Sequence, residues 1–148
     1  MTHRSPSGYS CPLNLRLTEP RSPAEISALF SYDARDPFAV WITFGGTGPG
    51  TEARVTWLVG RDLLRAGLDR PTGDGDIRLG PTSATDVLFL HLRTPTGEAL
   101  MELSRSALAA FVAGTATLVP FGAEETVIDF DHEVSLLLSD GDGNPIDR

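Results

Sequence analysis

The residues able to do chemistry in this chain are few, and their spacing decides what each could do. Gly45 to Gly50 reads GGTGPG, a composition suited to a loop whose backbone N–H groups cradle a phosphate. A Walker loop also needs a lysine against the β- and γ-phosphates, and every basic residue here is arginine. A dinucleotide loop needs a helix directly after the glycines, whereas the residues that follow alternate as a strand. The loop therefore reads as a flexible connection between strands. Asp140, Asp142 and Asn144 occupy the first three oxygen positions of a calcium loop. Its sixth position must be glycine for the sharp bend, and Pro145 stands there. Cys11, His3, His91 and His132 are dispersed and lack the close pairing of a zinc site. His132 lies between Asp131 and Glu133, but no G-x-S-x-G elbow presents a serine to it; it reads as a surface residue in the first turn of a helix. His91 alternates with Leu90 and Leu92, which puts it on the opposite face of a strand. Glu98 and Glu102 share a strand face, yet paired carboxylates matter only at a set separation across a substrate. They read as a solvated or intersubunit face. No catalytic, cofactor or metal site is expected.

Binding is the other class to weigh. Phe38, Trp41, Phe44 and Trp57 could stack bases on a sheet, but single-strand binders interleave such rings with basic residues. Here the neighbours are apolar, so the rings are assigned to the core. The formal charge is −8, which repels phosphate backbones unless a basic patch is segregated. Arg61, Arg65, Arg70 and Arg78 lie among Asp62, Asp69, Asp74 and Asp76. These are expected to form paired surface charges, each worth at most about 1 kcal/mol. The single cysteine forms no internal disulfide and fits a reducing compartment. The first residues lack the apolar core of a secretion signal, and no apolar run approaches the roughly 20 residues needed to cross a bilayer. The expectation is a cytoplasmic protein without a transmembrane segment.

The elements that must position these groups are organised around Val55 to Leu79. Val55, Trp57 and Val59 alternate as the buried set of a strand. Leu63, Leu64 and Leu68 then follow helical spacing, with Asp62 in the first turn. Gly67 suits the left-handed residue after a helix. Pro71, Gly73 and Gly75 make a compact turn before a strand at Ile77 to Leu79. Upstream strands are expected at Leu13 to Leu17, Ile26 to Tyr32 and Phe38 to Phe44. Downstream strands are expected at Val87 to Leu92 and Ala99 to Leu103. Ser104 caps a helix carrying Leu108, Phe111 and Val112, with Gly114 as its end and an extended stretch after it. A last helix carries Val134, Leu137 and Leu138. The 148 residues fit a flexible N-terminus over 1–10, one domain over 11–139 and a flexible tail over 140–148. Strands in runs with helices at their ends indicate an α+β fold with mainly antiparallel pairing.

Several stretches resemble one family. They are Tyr32, Asp36-Pro37-Phe38-Ala39-Val40, Val55-Thr56-Trp57, Arg61-Asp62-Leu63-Leu64, Gly67-Leu68, Arg70-Pro71-Thr72-Gly73 and Gly75-Asp76-Ile77-Arg78. Pro95, Gly97-Glu98-Ala99-Leu100, Glu102, Phe130-Asp131, Glu133 and Ser135 continue the match, which spans Leu13 to Leu138. The block from Arg61 to Arg78 is the specific part. The chain resembles the SsgA-like proteins, regulators of sporulation and cell division in actinomycetes. The N-terminal extension, the Gly45–Gly50 loop and the tail past Ser139 depart from the family pattern.

The resemblance implies a Whirly-like fold: two mainly antiparallel sheets, a short helix after the first four strands and two C-terminal helices. It implies a homotrimer and a non-enzymatic adaptor that positions the division protein FtsZ at septa and promotes its assembly, with other SsgA-like proteins as partners. A single-stranded nucleic-acid binder of the same shape is the alternative. Partner contact is assigned to Phe121, Gly122 and Glu124 in a loop and to His132 and Glu133 in the last helix, on an apolar residue set beside acids. Trp57, Arg61, Asp62, Leu63, Leu64, Gly67, Arg70, Pro71, Gly73, Gly75, Asp76 and Arg78 are assigned to architecture.

Overall fold

The computed structural model describes residues 3–4, 8–18, 23–45 and 54–125. Strands β1 (His3–Arg4), β2 (Gly8–Leu17), β3 (Ala24–Asp33), β4 (Ala39–Gly45) and β5 (Arg54–Gly60) lead into helix α1 (Arg61–Gly67). Strands β6 (Ile77–Pro81), β7 (Val87–Thr94) and β8 (Gly97–Ser104) then lead into α2 (Arg105–Leu118). Among the described residues all pairings are antiparallel, and the strands form one sheet in the order β5-β4-β3-β2-β8-β7-β6, with β1 against β2. The expected two sheets are therefore one. The reason is a short seam in which Leu15, Arg16 and Leu17 of β2 pair with Leu103, Glu102 and Met101 of β8. Thr18 N–H extends the seam by donating to Leu100 O at 3.0 Å. The strand run also begins earlier than expected, since Gly8 to Ser10 already belong to β2.

Alternation builds the core. Leu13 and Leu15 of β2, Phe30 and Tyr32 of β3, Val40 and Ile42 of β4, and Leu88 and Leu90 of β7 point to one face and are buried. Leu64 of α1 and Leu108, Phe111 and Val112 of α2 close over that face. The rings of Tyr9 and Phe30 pack on Phe111, with centroids 5.5 Å away in each case.

Two glycines do different work from the expected. Gly67 is the last residue of α1, and the residue after it, Leu68, is right-handed at φ −64°. No left-handed cap exists there. A Cβ on Gly67 would lie 2.5 Å from Leu79 Cδ2, so close packing of α1 on β6 is what requires glycine. Gly114 does not end α2, which continues to Leu118. A Cβ there would lie 2.4 Å from the Tyr9 ring; the helix passes through glycine so that the ring can lie flat against it. The expected extended stretch at Thr115 to Val119 is thus mostly helix. The expected turn holds, with Gly73 and Gly75 at φ +97° and +87°. Ser104 caps α2 as expected, its hydroxyl accepting from Ala107 N–H at 3.1 Å.

The aromatic assignment changes too. Trp41 and Phe38 are 43% and 44% exposed, because Trp41 lies on the outer face of β4. In β5 only Val59 is buried; Trp57 is half-buried, and Val55 is exposed. The alternation is correct, but burial fades toward the start of the strand.

Candidate functional site

Arg61 opens α1 at the end of β5. Its backbone N–H donates to Phe38 O at 2.8 Å, which ties the helix start to β4. Its side chain points inward and is 1% exposed. A guanidinium cannot be neutralised in a protein, so burying it requires partners on every side. Nη2 donates to Glu124 Oε2 at 2.6 Å. Nη1 donates to Val119 O at 2.7 Å and to Thr115 Oγ1 at 3.4 Å. The guanidinium also lies over two rings, with the Phe121 centroid at 4.0 Å and the Tyr32 centroid at 4.9 Å. Arg65, one helical turn on, covers Phe121 at 4.2 Å. Two cations therefore lie over the Phe121 ring, a favourable use of its negative face.

Glu124 is only 5% exposed. Its second oxygen accepts Gly122 N–H at 2.9 Å, which folds residues 121–124 into a tight turn with Gly122 at φ +94°. Burial by itself pushes the Glu124 carboxyl up, but the Arg61 guanidinium and the backbone N–H groups of Glu124 and Gly122 outweigh it. They hold the carboxyl below its ordinary value. Tyr32 lies on the other side. Burial pushes its phenol up to about 12 despite the nearby Arg61 charge, and its hydroxyl donates to Pro37 O at 3.0 Å. Among the described residues, Arg61 Nε is the buried polar side-chain atom without a hydrogen-bond partner.

One charge thus joins the start of α1, the end of α2, the β3 core and the segment after α2. The expectation of paired surface charges fails here. Arg61 skips the neighbouring aspartates for a glutamate 63 positions away. Asp69 pairs instead with Arg105 Nη2 at 2.8 Å, and Arg65 stacks on a ring. Sequence reasoning places Arg61 in the architecture, but on the surface; burial is a property of the assembled sheet. It also passes over Thr115, although Leu108, Phe111, Val112 and Thr115 keep one helical stripe. Reading Gly114 as a terminator cut that stripe short.

The remaining assigned residues scatter. Asp62 and Arg70 are exposed, Leu63 is half-buried and Leu64 is buried. Pro71, Gly73 and Gly75 form the turn into β6, where Arg78 is exposed opposite His91. Asp76 O accepts Arg93 N–H at 2.9 Å. Of the loop residues assigned to a partner, Gly122 is exposed, Phe121 half-buried and Glu124 buried. His132 and Glu133 lie outside the described residues. His91 sits on the outer face, as expected, with Nε2 at 2.5 Å from Glu98 Oε1. Glu102 shares that face. No group of metal-ligating residues occurs among the described residues, and no described helix is long and apolar enough to cross a membrane.

The family model described as Streptomyces sporulation and cell division protein, SsgA, matches residues 26–124. The chain belongs to the SsgA family. The matched region ends on Glu124, so it contains both partners of the buried ion pair. Sporulation-specific cell division protein SsgB of Streptomyces coelicolor is 41% identical over 134 residues, spanning 88% of this chain and 96% of that protein. SsgB of Frankia casuarinae is 38% identical over 87% of this chain and 90% of its own length. A solved structure of S. coelicolor SsgB, whose mutations correlate to longitudinal cell division during sporulation, superposes with a TM-score of 0.74 at 40% identity. It covers 84% of this chain and 99% of its own. The SsgA-like sporulation-specific cell division protein of Thermobifida fusca gives 0.77 at 31% identity, over 90% and 98%. The mostly antiparallel sheet with two described helices is thus a known SsgA-like fold, and the relatives carry a role in sporulation-linked cell division.

Proposed function

We propose that this protein is a non-enzymatic adaptor of sporulation-linked division that positions FtsZ at septa and promotes its assembly. The match to SsgB over nearly the whole of that protein's length carries this reading. The buried pair supports it physically. Arg61 and Glu124 fix a turn whose outward residues, Pro120, Gly122 and Glu125, are exposed. A recognition surface needs a rigid scaffold beneath a solvent-facing loop, and this turn has one. Phe121 and Glu124 act in that scheme as positioning residues, with Gly122 at the contact; His132 and Glu133, outside the described residues, are assigned to the partner by sequence. The adaptor works in the cytoplasm at the septum, as a Whirly-like homotrimer together with other SsgA-like proteins.

The nucleic-acid alternative gains no support from the exposed aromatic face. Trp41 stands there among Leu29, Ser31, Thr43 and Leu58, and phosphate contacts need cations.

Co-sedimentation with FtsZ filaments tests the proposal. The protein is expected to pellet with the polymer and to raise its yield. Glu125→Arg, at an exposed position beside the turn, is expected to abolish pelleting with the fold intact. A folded protein that neither pellets nor alters polymer yield refutes the reading.

A further inference from the structure

The outer face of the sheet has a hollow where β2, β3 and β4 meet. Its volume is about 320 Å³, and its walls include Gly8, Ser10, Ser31, Asp33 and Trp41. Strand register explains it. Ser10 of β2 lies opposite Ser31 of β3, which lies opposite Trp41 of β4. In the next row toward the strand ends, Gly8 lies opposite Asp33. Side chains on one face recur every second residue, so both rows share the outer face. Small residues floor the hollow, and a large indole walls one side. Trp41 is 43% exposed, while Ser10, Ser31 and Asp33 are half-buried.

The chemistry of these walls is polar but balanced. Arg35 donates its backbone N–H and Nε–H to Asp33 Oδ1 at 2.9 and 3.0 Å, and Nη2 to Oδ2 at 2.7 Å. These bonds hold the Asp33 carboxyl below the usual aspartate range, so it is an acceptor at neutral pH. A carboxylate has about four lone-pair sites. Arg35 takes two on Oδ1 and one on Oδ2, which leaves Oδ2 able to accept once more. Ser10 and Ser31 add hydroxyls that both donate and accept. A cation finds no unbalanced carboxylate here, since Asp33 is already paired with Arg35. An anion approaches a chain of net charge −8 and is repelled. The fitting ligand is therefore uncharged, with one apolar face for the indole and a rim of hydroxyls. The volume lies at the small end of the roughly 300–1,000 Å³ typical of ligand sites, which suits a single ring.

We propose that this hollow binds one ring of a neutral saccharide. The C–H face of the ring lies against Trp41, and its hydroxyls meet Ser10, Ser31 and Asp33 Oδ2. A nucleotide could offer its base to the same indole, but it brings a phosphate that the hollow has no unpaired cation to meet. The site is complete within one chain, so a homotrimer carries three of them. It does not depend on the FtsZ reading, and neither result bears on the other.

Titration of the full-length protein with glucose, N-acetylglucosamine and maltotriose, followed by amide and indole correlation spectra, tests it. At least one of these sugars is expected to give saturable shifts with a Kd on the order of 1 mM. The largest shifts are expected at the amides of Ser10 and Ser31 and at the Trp41 indole N–H. Tighter binding of a single sugar identifies a free monosaccharide as the ligand, and tighter binding of maltotriose identifies a glycan chain. Trp41→Ala, at an exposed position, is expected to weaken binding about tenfold or more, and Ser31→Leu, which fills the hollow, to do the same. Leu58→Ala, opposite Trp41 on the same face, is expected to leave the Kd unchanged. Absence of saturable shifts with all three sugars overturns the proposal. So do shifts centred away from the hollow, or a loss in Leu58→Ala equal to that in Trp41→Ala, the mark of a merely apolar face. If Trp41→Ala and Ser31→Leu do not fold, the place of the shifts in the parent decides alone.

Discussion

Removing the Glu124 carboxylate is expected to be among the most costly single changes in the molecule. In Glu124→Ala the Arg61 guanidinium keeps its charge and its place, 1% exposed, with only Val119 O and Thr115 Oγ1 as hydrogen-bond acceptors. Gly122 N–H loses its acceptor as well. Breaking one side of a buried ion pair costs roughly 3–5 kcal/mol, because the other charge stays buried without its counterion. For a chain of this size that corresponds to a drop in Tm of about 10 °C or more. The two rings soften the loss, since cation–π contacts remain worth about 1–2 kcal/mol when desolvated; the lower end of the range is therefore the expected value. Urea unfolding followed by circular dichroism measures it. The double variant Arg61→Met with Glu124→Leu separates the pair from its burial. It is expected to recover most of the loss, because an apolar pair of similar volume carries no charge to desolvate. The exposed pair Arg105–Asp69 supplies the contrast, and Asp69→Ala is expected to cost under about 1 kcal/mol. A loss below about 1 kcal/mol for Glu124→Ala, equal to that of Asp69→Ala, would show that Arg61 reaches water and would refute the argument.

Three further outcomes follow from the geometry. Glu124 has its carboxyl held below its ordinary value by Arg61 and the turn's N–H groups, so its contribution to stability is complete above the ordinary glutamate range and is lost as pH falls through the lower folded value. The difference in unfolding free energy between the parent and Glu124→Gln should shrink steadily below that range, and a pH-independent difference would count against the ion pair. Gly114→Ala should destabilise by roughly 1–3 kcal/mol from overpacking against Tyr9, although alanine gains about 1 kcal/mol in helix propensity. Thermal melts that show stabilisation would mean Tyr9 can move aside. Asp86→Ala should lower stability, because the start of α2 loses an acceptor. The Asp86 carboxylate accepts Ser106 N–H at 2.8 Å and the Ser104 hydroxyl at 2.9 Å, and its loss should first appear as faster amide exchange at the start of α2.

The sequence by itself determines the strand alternation, the turn at Pro71 to Gly75, the Ser104 cap and the family. These depend on neighbours within a few positions, where side-chain period and backbone preference act directly. Leu13 and Leu15, or Leu88 and Leu90, can point only one way once a strand forms. The tertiary structure alone decides which apolar residues are covered. Trp41 and Ile42 are adjacent and both apolar, yet one faces water and the other the helices. Tertiary structure alone also decides what a glycine is for, since Gly114 and Gly67 are required by Tyr9 and Leu79, which approach from distant strands. The fate of Arg61 is the clearest case. Four aspartates lie within 15 residues of it, but the carboxylate it meets is the one that α2 carries to the same buried point. Charge pairing in water is nearly indifferent to partner, whereas inside a core only the partner delivered by the fold is within reach.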